Sequence, residues 1–419
     1  MKSQLHLWLA LVVLWVGSSA CPAATNGLAQ EVYVWQRAWN PPVRDAVAEH
    51  AAAFQGLVVL CAEVTWQRGQ PQVVRVTPDY AVLKAAGTPA GLALRIGPFA
   101  GPFATNAPPA VFLGGLAAAL VVESRANGLA VRELQLDFDC ASARLEGYRT
   151  WVTAIRQRIA PVPLTITALP DWLKQPAFGP LVAATEGYVL QVHSLAAPAS
   201  ADAPFTLCDP AAALRAVERA GEFNVPFRVA LPTYGYLLAF DHAGKFVGLS
   251  AEGPIRSWPT DAQLREVRTD PLAMAQLVRT WTTNHPAAMR GVIWYRLPVA
   301  GDALNLHWPT VAAMMAGRSP REQEQAEARR TEPGLVEISL VNDGELDLTP
   351  PVRVAIRWAD ARLTAGDGVG GFELADDGPN TARLQLSRPG YRLAAGEKQI
   401  IGWLRLSEDR EVHCEIFKY

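Results

Sequence analysis

The stretch Glu133-Leu-Gln-Leu-Asp-Phe-Asp-Cys140, followed four residues later by Leu145-Glu-Gly-Tyr-Arg-Thr-Trp-Val-Thr-Ala-Ile-Arg-Gln-Arg-Ile159, decides the fold of this chain. A short apolar run of strand type gives way to a polar break and then to a longer helical pattern. The same unit recurs. Strands are expected at Glu31–Arg37, Gly56–Trp66, Gly91–Phe99, Glu133–Cys140, Pro163–Asp171, Tyr188–Leu195, Phe227–Tyr234 and Arg290–Leu297. Between them the pattern predicts helices at Pro42–Phe54, Val111–Arg125, Leu145–Ile159, Pro210–Phe223 and Pro271–Asn284, closing with Trp308–Ala316. Strands alternating with helices imply parallel strands joined by right-handed crossovers. Eight such units over about 290 residues fit an α/β fold, a (β/α)8 TIM-type barrel over residues 31–318. A doubly wound open sheet normally carries a glycine-rich phosphate turn after its first strand, and Tyr33-Val-Trp-Gln-Arg37 has none.

Local signals frame this core. Asp209 and Asp270 each precede a proline and read as helix N-caps with Pro at the first helical position. Residues 319–333 are strongly charged and read as a linker or short solvated helix. From Leu335 the apolar pattern has period two, with runs at Leu335–Val341, Val352–Trp358, Phe372–Leu374, Ala382–Leu386, Gln399–Leu406 and Val412–Phe417. Turn-forming stretches such as Asn342-Asp-Gly344 separate them, so residues 334–419 are expected to form a small all-β, sandwich-like domain. That domain either binds sugar or packs against the barrel; no row of exposed aromatics favours binding.

The N-terminus has the order of an export signal: Met1-Lys2, an apolar run from Leu5 to Val16, then small residues before Cys21, which assigns residues 1–20 to a signal peptide. The run falls short of the about 20 residues that span a bilayer, and no later stretch reads as long and charge-free enough. Ala20-Cys21 resembles a bacterial lipobox, with Ser18 where Leu is usual. That resemblance implies a lipid anchor through Cys21, whereas ordinary cleavage near Ala20 or Ala24 would release the chain. Either way the mature protein is expected to be exported, periplasmic or tethered as a lipoprotein. Cys61, Cys140, Cys208 and Cys414 lack any C-x-x-C spacing and read as small buried hydrophobes, though export would permit a Cys140–Cys208 bridge.

Composition narrows the function classes. The 419 residues carry a net charge of −2, 50% hydrophobic and 19% charged side chains, which excludes a disordered tail, a collagen-like repeat, a disulfide-stapled module and a basic nucleic-acid binder. No nucleic-acid partner and no cofactor are expected, since near-neutral charge gives no field to recruit a polyanion.

In a barrel of this kind, chemistry belongs at the C-terminal strand ends. On the fourth strand Gln135, Asp137 and Asp139 share a parity. Burying an unpaired carboxylate costs several kcal/mol, so two of them on a buried strand point to function. Asp171 ends the fifth strand and Glu63 the second, giving four candidate catalytic carboxylates. Trp35, Arg37, Gln191, His193, Tyr234, Tyr236, Trp294 and Arg296 complete a rim suited to substrate binding. Aromatic faces meet the C–H faces of sugars, while carboxylates and amides meet hydroxyls; with near-neutral charge, this suits an uncharged, hydroxyl-rich ligand. Arg37 and Arg296 either bind substrate or neutralise Asp137 or Glu63, and His193 has an equally ordinary structural role. A metal site from Asp137, Asp139 and His193 is weakly supported, because no His-x-His pair accompanies them.

The runs Tyr33-Val-Trp-Gln-Arg37, Leu134-Gln-Leu-Asp-Phe-Asp-Cys140, Thr167-Ala-Leu-Pro-Asp-Trp-Leu173, Ala230-Leu-Pro-Thr-Tyr-Gly-Tyr236 and Trp294-Tyr-Arg-Leu-Pro298 resemble a bacterial family of exported proteins described as a domain of unknown function, DUF3142. A more distant resemblance is to the chitinase-like glycoside hydrolases, whose fourth strand ends Asp-x-x-Asp-x-Asp-x-Glu. Asp137 and Asp139 match the middle pair, Leu134 replaces the first Asp, and Ala141 stands where the acid is found. Trp294 is similar to the tryptophan that floors the sugar site in that group. With export, the resemblance implies an envelope or extracellular glycan as ligand. Either the barrel hydrolyses it through a different carboxylate pair, with Asp137 as nucleophile or base and Asp139, Asp171 or Glu63 as acid, or it binds glycan without cleaving it.

Overall fold

A computed structural model describes residues 27–194, 197–251, 258–388 and 390–417; the export signal and Cys21 lie outside the described residues. The barrel strands are β1 (Ala29–Val34), β2 (Gly56–Gln67), β4 (Ala90–Ile96), β5 (Val131–Phe138), β6 (Leu164–Ala168), β7 (Gly187–Gln191), β8 (Phe227–Pro232) and β12 (Met289–Tyr295). All pair in parallel, and the ring closes through β1 against both β12 and β2. This is the (β/α)8 fold expected from the alternating pattern.

Helices α1 (Pro41–His50), α2 (Tyr80–Ala86), α3 (Pro108–Ala126), α4 (Leu145–Ile159), α5 (Phe178–Ala183), α6 (Pro210–Gly221), α7 (Pro271–Thr283) and α8 (Trp308–Met315) accompany the strands. In α4 the buried positions Leu145, Tyr148, Trp151, Val152, Ile155 and Ile159 recur at helical spacing. Asp209 and Asp270 cap α6 and α7, each side chain accepting from the second and third N–H of its helix. Contrary to expectation, α3 is long and apolar enough to cross a membrane by length and composition. It instead packs as a barrel helix, burying Leu113, Ala117 and Leu120.

Two additions stand above the strand ends. Strand β3 (Gln70–Arg75) folds back antiparallel on the upper half of β2. A three-stranded sheet, β9 (Gly235–Phe240), β10 (Phe246–Ser250) and β11 (Gln263–Arg268), rises between β8 and α7. Neither was evident from the sequence pattern.

The C-terminal region holds two antiparallel four-stranded sheets around one core that includes Ile338, Leu404, Val354 and Leu384. One contains β13 (Glu324–Glu332), β14 (Leu335–Asn342), β16 (Leu363–Gly368) and β19 (Lys398–Leu406). The other contains β15 (Arg353–Trp358), β17 (Phe372–Gly378), β18 (Thr381–Leu386) and β20 (Val412–Phe417). The charged segment expected as a linker is thus corrected: Glu324–Glu332 is an edge strand, whose charges lie on solvent while Ala326 and Ala328 pack inward. Arg318, just past α8, pairs bidentately with Glu345 at 2.5 and 2.6 Å and ties this domain to the barrel. Cys61, Cys140, Cys208 and Cys414 are all free thiols, so the Cys140–Cys208 bridge is not formed.

Candidate functional site

Alternation carries one parity of each barrel strand into the interior, and the layers can be read upward. The lowest is ionic. Arg228 of β8 donates to Glu133 at 2.7 and 2.8 Å and also to Glu31, while Thr165 donates to Glu133 at 2.9 Å. A Cβ on Gly91 would stand 2.7 Å from the Glu133 side chain, so this glycine makes room for the network. Above it Tyr33, Leu60, Ala93, Val189, Ala230 and Ile293 form an apolar plug, into which Gln135 reaches to donate to the Tyr33 hydroxyl at 2.7 Å. The top layer opens into a cleft of about 550 Å³ lined by Trp35, Arg37, Arg95, Asp137, Asp139 and Tyr295, among others.

Asp137 enters this layer from the end of β5. Its side chain is 20% exposed. Thr167 donates to Oδ1 at 2.9 Å, and the Arg95 Nε lies 3.9 Å from Oδ2. Burial pushes the Asp137 carboxyl up and the neighbouring Asp139 charge adds to this; Arg95 and Thr167 oppose them, leaving it at about 6. Asp139, just past the strand end, is exposed at the mouth of the same cleft.

The other two carboxylates behave differently. A bulge at Cys61 shifts the register of β2 against β4, so that Leu60 and then Glu63 face inward. Glu63 accepts from Arg37 at 2.5 and 3.1 Å and from Arg95 at 3.2 Å. Burial pushes its carboxyl up, but the two guanidiniums outweigh this and hold it below the ordinary range. It is an ion-pair anchor, not a ready proton donor. Asp171 is corrected outright: β6 stops at Ala168, and Pro170, which has no N–H for the ladder, starts a short 3-10 helix that turns the chain away. Its side chain is 82% exposed beside Lys174, outside the cleft.

The aromatic rim is continuous. Trp35 meets Tyr33 and Tyr295 at centroid distances of 5.3 and 5.4 Å, and Tyr295 meets Tyr234 at 5.4 Å and His193 at 5.8 Å. His193 Nδ1 lies 3.2 Å from the Tyr234 hydroxyl, which shares a 3.1 Å hydrogen bond with Tyr236. Burial lowers the His193 ring to about 3, so it is neutral. Gln191 lines the cleft and donates to the His193 carbonyl at 3.1 Å. Trp294 is a correction: on β12 the inward parity belongs to Ile293 and Tyr295, so Trp294 points outward, fully buried against the helices, and donates to Gln30 at 2.7 Å. Arg296 is also corrected; it is buried against Asp302, away from the cleft lining. Arg95, Tyr33 and Tyr295 were missed by sequence reasoning. Arg95 had a signal, as a lone charge on the parity of Gly91 and Ala93. Among the described residues no three His, Cys, Asp or Glu side chains converge as metal ligands.

The strained charge of Asp137 has a measurable consequence. An aspartate folded at about 6 is above its ordinary 3.8, so the penalty is absent below pH 4 and develops as pH rises through 6. Asp137→Asn is therefore expected to stabilise the protein at pH 8 by about 1–3 kcal/mol and to be neutral at pH 4, as read by urea unfolding. Equal effects at both pH values would refute the assignment.

No curated protein matches the chain. Among solved structures it is similar to the spore cortex-lytic enzyme SleL of Bacillus cereus, at 11% identity and TM-score 0.48, covering 70% of this chain and 74% of that one. It is also similar to a chitinase from Chromobacterium violaceum ATCC 12472, at 15% identity, TM-score 0.45, and 69% and 99% coverage. A third is the GH18 chitinase ChiB of Flavobacterium johnsoniae, at 12% identity, TM-score 0.46, and 70% and 94% coverage. Residues 325–407 match a second domain of unknown function, DUF8456. From α3 to the loop after β12, residues 113–300 match the family described as Domain of unknown function (DUF3142), the family that the sequence motifs of this barrel resemble.

Proposed function

We propose that this protein is a glycoside hydrolase-like enzyme of the cell envelope that takes a glycan into the cleft above the barrel. One observation carries the reading: a carboxyl held at about 6, Asp137, shares an aromatic-walled cleft with a second carboxylate, Asp139. A group that is protonated near neutral pH can donate to a leaving oxygen, while an ionised partner acts as nucleophile or base. Asp137 is thus the acid and Asp139 its partner, which exchanges the roles first considered. Export, with a tether through Cys21, belongs to the same proposal; labelling with a radioactive fatty acid checks it.

The test is release of reducing ends from a panel of envelope and extracellular glycans. Activity is expected to fall about tenfold per pH unit above about 6, as Asp137 loses its proton. A rate that rises across that range would exclude Asp137 as the acid. A second reading, binding without turnover, is favoured by Ala141 at the position of the chitinase-like acid. Saturable binding with no product from any glycan would select it.

A further inference from the structure

We propose that the C-terminal domain positions one wall of the cleft: its Arg392, held by Asp347, grips the inserted sheet through Glu266 and so fixes Tyr234 and Tyr236. Tyr234 stands just before β9 and Tyr236 on it, and β10 supplies Leu249 and Ser250 to the same lining. What this wall would hold is taken from the glycan reading above; where it stands is not.

The two faces of the sheet have different neighbours. On β11 the register sets Val267 opposite Tyr236, while Glu266 and Arg268, two residues apart, share the other face. Val267 packs into the cluster that holds Tyr234 and Tyr236. On the opposite face Arg268 lies across Gly235, where a Cβ would stand 3.1 Å from its Cγ, and donates to the carbonyls of Ala303 and Asn305. Gly235 is the residue between the two cleft tyrosines. Glu266 accepts from Arg268 at 2.5 Å and from Arg392 at 3.1 Å.

Arg392 is itself fixed from behind. Asp347 and Arg392 each precede a residue of the sandwich core, Leu348 and Leu393, whose backbones exchange hydrogen bonds of 2.9 and 3.0 Å. Their side chains meet at 3.2 Å, and Asp347 also meets His307, before α8, at 2.7 Å. Burial pushes the Asp347 carboxyl up, but His307, Arg392 and Arg268 outweigh it and keep the group below its ordinary range. Glu266 and Arg392 are 41% and 31% exposed, so their pair is a modest tie, enough to bias a small sheet and too little to decide the fold.

Hydrogen exchange of the full chain at pH 7 reads the wall without a ligand. Arg392→Gln is expected to speed exchange in Gly235–Phe240 and Gln263–Arg268 about two- to fivefold, the scale of one partly exposed ion pair, with β7 unchanged. Adding it to Glu266→Gln should bring no further change, since the pair is already broken. Arg318→Gln cuts the tie to Glu345, which does not reach the sheet, and should leave both strands at the parent rate. Unchanged exchange in Arg392→Gln, or equal acceleration in Arg318→Gln, would overturn the proposal. On any glycan that the parent cleaves, Arg392→Gln should raise KM about two- to fivefold with kcat within about twofold, because the acid stands on β5. A fall in kcat with KM unchanged would overturn the proposal too. A parent that neither binds nor cleaves any glycan would overturn the glycan reading alone.

Discussion

Replacing Arg228 by methionine is expected to cost the fold about 3–5 kcal/mol, although methionine fills most of the same volume. Arg228 sits at the floor of the barrel, where it neutralises Glu31 and Glu133 together. Burial pushes Glu133 up, but Arg228, with Arg132 beside it, outweighs that and keeps the carboxyl below its usual range. Without Arg228, two buried carboxylates share only Arg132, which is 2.7 Å from Glu31 and 3.2 Å from Glu133. The loss should appear in urea unfolding at pH 7 and shrink toward pH 5, where Glu133 can recover a proton. A triple change to Glu31→Met, Glu133→Leu and Arg228→Met should regain most of the stability, because no buried carboxylate is then left unpaired and Arg132, whose side chain is 32% exposed, keeps access to solvent. A cost under about 1 kcal/mol for the single change would show that the floor tolerates open charges.

Asp137→Asn is expected to lower glycan turnover about 10²–10⁴-fold, the contribution of a positioned proton donor. The fold should survive, and at pH 8 it should be more stable, since the change removes a charge the cleft disfavours. Opposite signs in activity and stability separate a catalytic carboxylate from a structural one. Turnover within threefold of the parent would move the acid role elsewhere, with Asp139 the remaining carboxylate in the lining.

Much of the barrel was legible because its signals are local. The α4 helix runs from Leu145 to Ile159 as its spacing predicts, and the Asp-Pro caps of α6 and α7 rest on contacts two and three residues away. Parity on β5 was legible too: Gln135 enters the interior and Asp137 the cleft. Where a strand ends was less so. Pro170 released Asp171 from the rim, and the charged run after Ser319 became an edge strand because β14 offered it a partner.

By itself, then, the sequence determined the alternation of strands and helices, the eight-fold closure that follows, the all-β character of residues 334–419 and the strand that carries paired carboxylates. Tertiary structure alone decided that Tyr295 and not Trp294 faces the cleft, since only the register of β12 relates either residue to the barrel axis. It decided that a bulge turns Glu63 inward to two arginines, Arg95 on β4 and Arg37 in the segment after β1. It also raised the proton affinity of Asp137, because a carboxyl's charge depends on burial and on partners, here Arg95 and Thr167, that come from other strands. Local pattern records the hydrogen-bonding period of a segment; proton affinity and facing are properties of the assembled layers.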